Sequence, residues 1–384
     1  MAKRLRAAFY RGGTSKAVVF NGADLPEDQA VRDRIFLHVL GSPDPYGRQL
    51  NGLGGGLSSL SKVVIVEPSD RDDADVNYTF VQIAVDEPLA DYGSACGNMS
   101  SCVGPFAVEE GMVPVAADQT EALIRIYSTN TQSVYHARFR VRDGMPVEEG
   151  EFAIPGVSGT GAKVTIDFLA PGGAATGRLL PTGNALDVLE IDGFGPLEVS
   201  LIDAANPVVF FRAADLNKTA TERPQDLDNE AEFMTLVEKI RVAGSVAMGM
   251  AASPQDVRRS NPKVAMLGPA AAFTALDSSS YGQDSHDVNV RLVSMGNFHR
   301  AITLTGAMCT AVAAQIPGTL IQMIAQPEGQ ELRIGNPSGN LPTIADVRQG
   351  PSGPEAISAG TFRTQRRIME GAVLYPPELT EDVN

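Results

Sequence analysis

A cysteine stands directly before a run of small residues in the segment ADYGSACGNMSSCVGPFAVEEG, residues 90–111. The run after Cys96 is apolar nearly all round, which predicts a helix buried on most sides. The first amides of a helix lack intrahelical partners, and the helix dipole is positive there. A helix beginning at Gly97 or Asn98 would therefore favour a thiolate at Cys96, or hold a ligand carboxylate near Met99. A buried, unreactive cysteine is the alternative, because free cysteine is among the most buried residue types.

Two further segments carry residues suited to chemistry. Lys62 ends the glycine-rich NGLGGGLSSLSK, residues 51–62, directly before the apolar strand VVIV. Such a lysine is usually a solvated flank, but burial in a cleft would lower its pKa enough for it to act as a base. The turn RGGTSK offers Thr14, Ser15 and Lys16 as donors to a carboxylate or phosphate, without the spacing of a P-loop. A plain strand-entry turn is the alternative for RGGTSK.

A weak internal repeat organises the chain. The matches keep the same order and have slowly growing offsets: VVFNGADL (18–25) with VFFRAADL (209–216), SKVVIV (61–66) with PKVAML (262–267), QIAVDEP (82–88) with RLVSMGN (291–297), and RIYSTN with RIGNPS, which aligns Arg125 with Arg333. The offset of the third match places CGNMSSCVGPFA (96–107) over TGAMCTAVAAQI (305–316), with Thr305 at the position of Cys96. The second helix mouth adds Gly306 and Ala307 as candidate amide donors.

The repeat predicts an α+β fold of two pseudo-duplicated halves. We expect a curled, mostly antiparallel sheet around one central helix in each half, with a ligand cleft between the halves. The sequence APGGAATG followed by renewed strand-like alternation places the boundary near Pro181. The expected domains are residues 1–180 and 181–384, with the last segment able to pack back on the first domain.

Composition excludes several classes of function. The chain has 384 residues and a formal net charge of −15, which argues against nucleic-acid binding and against adhesion to anionic membranes. No stretch of 18 apolar residues occurs. Three cysteines and four scattered histidines give neither a disulfide framework nor a metal-binding pattern, so we expect a cytoplasmic protein without metal. Cys102 and Cys309 lie inside the apolar helices and are expected to be packing residues.

Seven motifs together resemble the PrpF family of isomerases, from Arg11 to about Tyr375: RGGTSK, GSPDPYGRQLNGLGGG, SSLSKVVIV, CGNMSS, LPTGNALDVL, SMGNFHRAITLTGA and NPSGNL. That family includes 2-methylaconitate cis–trans isomerase, 3-methylitaconate Δ-isomerase and 4-oxalomesaconate tautomerase. The resemblance implies the diaminopimelate epimerase-like fold, in agreement with the repeat. Related cofactor-free racemases use one cysteine from each half, but a hydroxyl at Thr305 has too high a pKa for that role.

The resemblance implies a cofactor-free isomerase of an unsaturated tricarboxylate such as 2-methylaconitate or aconitate, and links the chain to the methylcitrate pathway. Lys62 is then the expected general base, and Cys96 its partner or the group that orients the substrate. Helix amides would stabilise the dienolate that forms. The expected carboxylate-binding residues add a loop in the second half to those already given: Ser294, Met295, Gly296 and His299.

Two alternatives stay open at this point. A keto–enol tautomerase of an oxalomesaconate-like acid belongs to the same class of enzyme. A non-catalytic accessory protein of an aconitase-like enzyme belongs to a different class, although the intact motifs around Lys62 and Cys96 argue against it. A homodimer is expected only because homodimers are the commonest symmetric assembly.

Overall fold

The computed structural model describes residues 2–93, 96–154, 156–258, 261–294 and 296–380, and the chain divides into two compact units. The first unit consists of residues 1–167 and 362–384, and the second of residues 168–361. The second unit is thus inserted in the chain of the first. The division at 180/181 that the sequence suggested stays a prediction about folding domains. None of the described helices is long and apolar enough to cross a membrane.

The first unit is built mainly of strands with two helices. Its elements are β1 (Lys3–Gly12), β2 (Ser15–Asn21), α1 (Gln29–Leu40), β3 (Lys62–Pro68), β4 (Val76–Ile83), β5 (Ala90–Asp91), α2 (Ser100–Glu109), β6 (Glu121–Ser128), β7 (Ser133–Arg142), β8 (Met145–Pro146) and β9 (Val164–Leu169). The second unit contains β10 (Asp187–Ile191), β11 (Gly195–Ala204), β12 (Asn206–Arg212), α3 (Pro224–Asp228), α4 (Ala231–Ala247), β13 (Lys263–Pro269), β14 (Phe273–Thr274), β15 (Ser280–Tyr281), β16 (Val288–Ser294), β17 (Asn297–Phe298), α5 (Leu304–Ala314), α6 (Leu320–Ala325), β18 (Glu331–Asn336), β19 (Gly339–Gly350) and β20 (Gly353–Arg363). The last two residues of β20, Phe362 and Arg363, and the last strand, β21 (Gln365–Tyr375), belong to the first unit.

The same order of strand pairings occurs in both units. In the first, β1–β2 is antiparallel, β2–β3 parallel, β3–β4 antiparallel, β4–β6 parallel and β6–β7 antiparallel. In the second, β11–β12, β12–β13, β13–β16, β16–β18 and β18–β19 follow the same alternation. Each unit therefore has a mixed sheet in which antiparallel pairings are the majority, and the sequence repeat has a counterpart in topology.

Alternation along the strands separates two faces of the first sheet. Val18, Val63 and Val81 point to the face covered by α1, together with Val373 of β21. Helix α1 is capped by the carboxylate of Asp28, which accepts the Ala30 and Val31 amides. On the same strands, the residues that alternate with these valines, including Lys62, point to the opposite face, where α2 lies.

Small residues let α2 lie in close contact with its sheet. Every residue from Ser100 to Val108 is buried. A methyl group at Gly104 would lie 2.8 Å from Cε1 of Phe139 and 3.1 Å from Cβ of Ala137, both on β7. In the second unit α5 is buried from Gly306 to Ala314 and belongs to a core with strands β11, β12, β13 and β16. The two predicted small-residue helices are confirmed, and Cys102 and Cys309 are buried packing residues within them.

The repeat is most exact at an arginine clamp. Arg125 donates to the carboxylate of Asp75 through its backbone amide, Nε and Nη2, and to the Asp72 carbonyl through Nη1. Arg333 makes the equivalent contacts with Asp287 and with the carbonyl of Asp284. The predicted alignment of Arg125 with Arg333 is therefore confirmed.

Candidate active site

Lys62 is buried, although a lysine at such a position in a sequence is usually exposed to solvent at the flank of a strand. It is the first residue of β3, directly after a 3₁₀ turn at Ser58–Leu60, and is only 7% exposed. Its Nζ donates to Oε1 of Gln82 at 2.5 Å and lies 5.0 Å from the ring centroid of Phe80. Burial lowers the pKa of Lys62, and the neighbouring Cys96 acts in the opposite direction. A lysine in this setting is suited to take up a proton.

Cys96 lies at the mouth of α2, as expected. Residues 97–99 form a turn before the helix, which begins at Ser100 instead of Gly97 or Asn98. The Ser100 amide donates to the Cys96 carbonyl at 3.0 Å, so Cys96 occupies the position whose carbonyl accepts the first helical bond. The Tyr78 hydroxyl donates to the same carbonyl at 3.3 Å. Cys96 is half-buried, whereas burial raises the pKa of Cys102 and Cys309 far above the ordinary value.

The Asn98 side chain joins three segments of the first unit. Its Nδ2 donates to Oγ1 of Thr14 in the β1–β2 turn at 3.1 Å, and its Oδ1 accepts from Nε of Arg363 at 3.0 Å. A methyl group at Gly13, which has a φ of +52°, would lie 2.3 Å from Oδ1 of Asn98. Gly13 therefore allows the turn RGGTSK to lie close to the N-terminus of α2.

Arg363 is a functional candidate that the sequence analysis missed. It ends β20, and its Nη1 also donates to the carbonyl of Phe362 at 2.8 Å. Burial lowers the pKa of Arg363, and Cys96 raises it. The guanidinium thus adds a positive charge beside Cys96 and Asn98. Its separation from Asn98 by 265 positions explains why no local pattern could reveal it.

The remaining candidate residues of the first unit differ in burial and in their position relative to the N-terminus of α2. Ser15 is buried at the start of β2, Gly97 is half-buried in the turn, and the Met99 side chain is fully buried in the core. Lys16 lies one strand position from Ser15, so its side chain points to the α1 face, where its Nζ lies 5.7 Å from the ring centroid of Phe9. The structure therefore does not bring Lys16 together with Lys62 and Cys96.

The second unit repeats the lysine but not the cysteine. Lys263 begins β13 as Lys62 begins β3, and its Nζ donates to Oγ of Ser294 at 2.9 Å. His299 is half-buried, and its pKa is lowered by burial and by the charge of Lys263. Gly296 is exposed, and Met295 lies outside the described residues.

The helix mouth of the second unit differs from the alignment. Thr303 is the N-cap of α5: its hydroxyl accepts the Gly306 amide at 3.1 Å and its carbonyl accepts the Ala307 amide at 2.8 Å. The counterpart of Cys96 in helix hydrogen bonding is therefore Thr303, whereas Thr305 is the second residue of the helix. Because the Gly306 and Ala307 amides are engaged in this cap, they are poorly placed to hold a carboxylate.

No group of three or more His, Cys, Asp or Glu side chains that could hold a metal ion occurs within the described ranges. The groups that the structure places at the mouth of α2 are Lys62, Cys96, the side-chain amide of Asn98 and the Arg363 guanidinium. This set can move a proton and hold negative charge.

Comparison with known proteins gives close relatives. A family model described as PrpF protein matches residues 2–376. The chain is 38% identical over 376 residues to the 3-methylitaconate isomerase of Eubacterium barkeri, which covers 96% of this chain and 97% of that protein. It is 36% identical over 385 residues to the 2-methyl-aconitate isomerase of Shewanella oneidensis, with 97% of each chain covered. It is also 36% identical over 374 residues to the 4-oxalomesaconate tautomerase of Pseudomonas putida, with 96% of each chain covered.

A solved structure supports the fold. The crystal structure of methylitaconate-delta-isomerase matches with a TM-score of 0.89 at 36% identity, covering 100% of this chain and 98% of that one. The expected family and the class of isomerases are thereby confirmed, and the mixed-sheet fold is shared with that enzyme.

Proposed function

Because the chain belongs to the PrpF family, we propose that it is a cofactor-free isomerase of an unsaturated tricarboxylic acid such as 2-methylaconitate or aconitate. The observation that carries the proposal is the buried Lys62 beside Cys96 at the mouth of α2. Both residues lie in the same unit and on the same face of its sheet.

The reaction is a proton transfer in two steps. The neutral amine of Lys62 takes a proton from a carbon that lies next to a carboxylate and a C=C bond, so that a C–H bond breaks and an N–H bond forms. The electron pair is delocalised into a dienolate, which the Arg363 guanidinium and the helix mouth stabilise. A proton from Lys62 or from the Cys96 thiol then forms a new C–H bond at the same or a remote carbon. Nothing is oxidised or reduced, so no cofactor is needed.

Thr14 and Asn98 are also proposed to contact the substrate in the first unit. Their side chains are hydrogen-bonded to each other at the mouth of α2. Ser15 and the turn at Gly97 are proposed to contribute through their backbone. In the second unit, Ser294, His299 and Thr305 stay proposed contacts, and Thr303, the N-cap of α5, is added to them.

The substrate and the assembly belong to the same proposal. A 4-oxalomesaconate-type tautomerase is the second candidate, because the relative with that name is 36% identical, close to the 38% of the 3-methylitaconate isomerase. Each unit is proposed to be one diaminopimelate epimerase-like half, with its sheet curled around α2 or α5. A cytoplasmic location fits the low cysteine count, and a homodimer is proposed only because homodimers are the commonest symmetric assembly. A place in the methylcitrate pathway follows only if 2-methylaconitate is the preferred acid.

The test is exchange with solvent deuterium. The purified protein is incubated in D₂O with cis-aconitate, 2-methylaconitate and 4-oxalomesaconate, and each acid is followed by proton NMR. Interconversion of isomers with deuterium uptake supports the isomerase, and the preferred acid separates the two candidates. Binding of the acids without any exchange would favour the accessory role.

A lysine variant tests the mechanism. Lys62→Met removes the proposed base, so we expect a loss of exchange of at least about 10²-fold, the usual lower range for removing a general base. Lys239→Met on the exposed face of α4 is the matched control and keeps wild-type activity. Unchanged exchange in a folded Lys62→Met variant would exclude Lys62 as the base.

A further inference from the structure

The partner of Lys62 is Gln82, which lies directly opposite it in the antiparallel pairing of β3 with β4. The Lys62 Nζ donates to Gln82 Oε1 at 2.5 Å. This contact joins the proposed base to a neutral side chain on the next strand. Neither the sequence motifs nor the relatives' names assign a role to Gln82.

The orientation of the Gln82 amide is fixed by its other contacts. Its Nε2 donates to the carbonyl of Ser61 at 2.9 Å and to that of Ser58 at 3.1 Å, with a longer contact of 3.3 Å to Ile83. Carbonyls only accept hydrogen bonds, so the nitrogen must point toward them and the oxygen toward Lys62. The same amide therefore holds the peptide before Lys62 and the amine at the end of its side chain.

A second glutamine supports this arrangement from behind. Gln49 is 1% exposed, and its Nε2 donates to Oγ of Ser61 and to Oγ of Ser42, both at 2.7 Å. Its Oε1 accepts the Gly56 amide at 2.9 Å. Gln49 thus ties the glycine-rich loop before Lys62 to Ser61, which leaves Gln82 with a fixed set of carbonyls to bind.

Among the residues that the structure describes, few charged groups lie near Lys62. Strand β4 presents Gln82 and Phe80, the neighbouring position of β2 is Ala17, and the preceding turn presents serines. In the described part of the chain, Cys96 is a titratable group that interacts with Lys62, and Arg363 is a cation that interacts with the same thiol. Gln82 therefore occupies a place in which a carboxylate would form an ion pair with the ammonium and hold its proton.

We propose that Gln82 is a positioning residue that holds the Lys62 amine through a neutral acceptor and so keeps this amine able to take a proton from the substrate. This inference rests on the proposed function. In the second unit, the amine of Lys263 likewise donates to a neutral oxygen, the hydroxyl of Ser294, at 2.9 Å.

The test is the pH profile of the Gln82→Glu variant. A carboxylate at this distance stabilises the ammonium, and an opposite charge so near shifts a lysine by about 1 to 3 pH units. We expect the acidic limb of kcat/KM to move upward by that amount, with a loss of about 10- to 1,000-fold at pH 7 that recovers at high pH. The Gln82→Leu variant removes the acceptor without adding charge, so its activity falls without an upward shift of the limb.

Two controls make the outcome decisive. Gln29→Glu, at the exposed start of α1, adds the same charge in the same unit and leaves the profile unchanged. The pH dependence of Lys62 acetylation, measured by peptide mass spectrometry, reports the same shift without substrate. A Gln82→Glu profile that superimposes on the wild-type profile, in a variant of normal melting temperature, overturns the inference.

Failure of this inference is distinguishable from failure of the proposed function. If Lys62→Met is inactive and the Gln82→Glu limb does not move, only the role of Gln82 is lost. If Lys62→Met is fully active, the assignment of the base fails first, while acetylation of Lys62 still reports whether Gln82 sets its protonation.

Discussion

Replacement of Arg363 tests whether the proposed site includes the segment that returns to the first unit. Arg363 donates to Asn98 Oδ1 at 3.0 Å and places a positive charge beside Cys96. A hydrogen bond from a charged donor is worth about 1.5–3 kcal/mol, which corresponds to about 10- to 150-fold in rate if it acts in the transition state. We therefore expect Arg363→Met to lower kcat/KM by that factor with each accepted acid.

The assay is deuterium exchange of the preferred acid followed by NMR, with kcat and KM measured separately. Arg363→Lys keeps the charge but not the planar fork of donors, so its activity is expected to lie between those of wild type and Arg363→Met. Arg366→Met, at the exposed neighbouring position on β21, serves as the matched control. A folded Arg363→Met variant with kcat/KM within twofold of wild type would refute the reasoning.

Two further predictions concern stability. Asp75→Asn and Asp287→Asn each remove the charge of one arginine clamp; because both clamps are partly exposed, each should cost about 1 kcal/mol in the free energy of unfolding. The two costs should add in the double variant, measured by urea denaturation, and strong non-additivity would contradict independent clamps. Burial is the largest cause that lowers the pKa of three histidines, His136, His286 and His299. The unfolded chain therefore binds more protons than the folded one. Stability from these groups is complete above their unfolded pKa of about 6.5 and is lost as the pH falls below it. Melting temperatures from pH 8 to 5 should show this loss, and His286→Asn should reduce its slope; a flat profile would contradict it.

The sequence predicted most of what depends on local pattern. Small apolar residues predicted α2 and α5, and the repeat predicted paired features such as the clamps of Arg125 and Arg333. The alignment failed at the helix mouths, where it matched Thr305 instead of Thr303 to Cys96. The connection from β4 to β5, residues 84–89, is longer than that from β16 to β17, residues 295–296, and a fixed offset between repeats cannot follow such a difference.

The residues that the sequence missed act through tertiary contacts. Gln82 is a neutral side chain in an ordinary strand, and only its register opposite Lys62 gives it importance. Arg363 reaches Asn98 from far along the chain. Lys16 was expected at the site because it follows Thr14 and Ser15, but strand alternation directs it to the other face. The motif RGGTSK identified Lys16 as a candidate but does not tell to which face of the sheet its side chain points.

The pairing of β1 with β21 has a consequence for synthesis on the ribosome. One edge of β1 receives β2 at once, but its other partner is made only after residues 168–361. At the usual rate of translation this edge stays open for on the order of 10 to 40 s, while the second unit can already fold. An open strand edge invites pairing with other chains, and positive charges on it oppose such pairing. Lys3, Arg4 and Arg6 lie on β1, and their positive charges oppose such pairing until β21 is made.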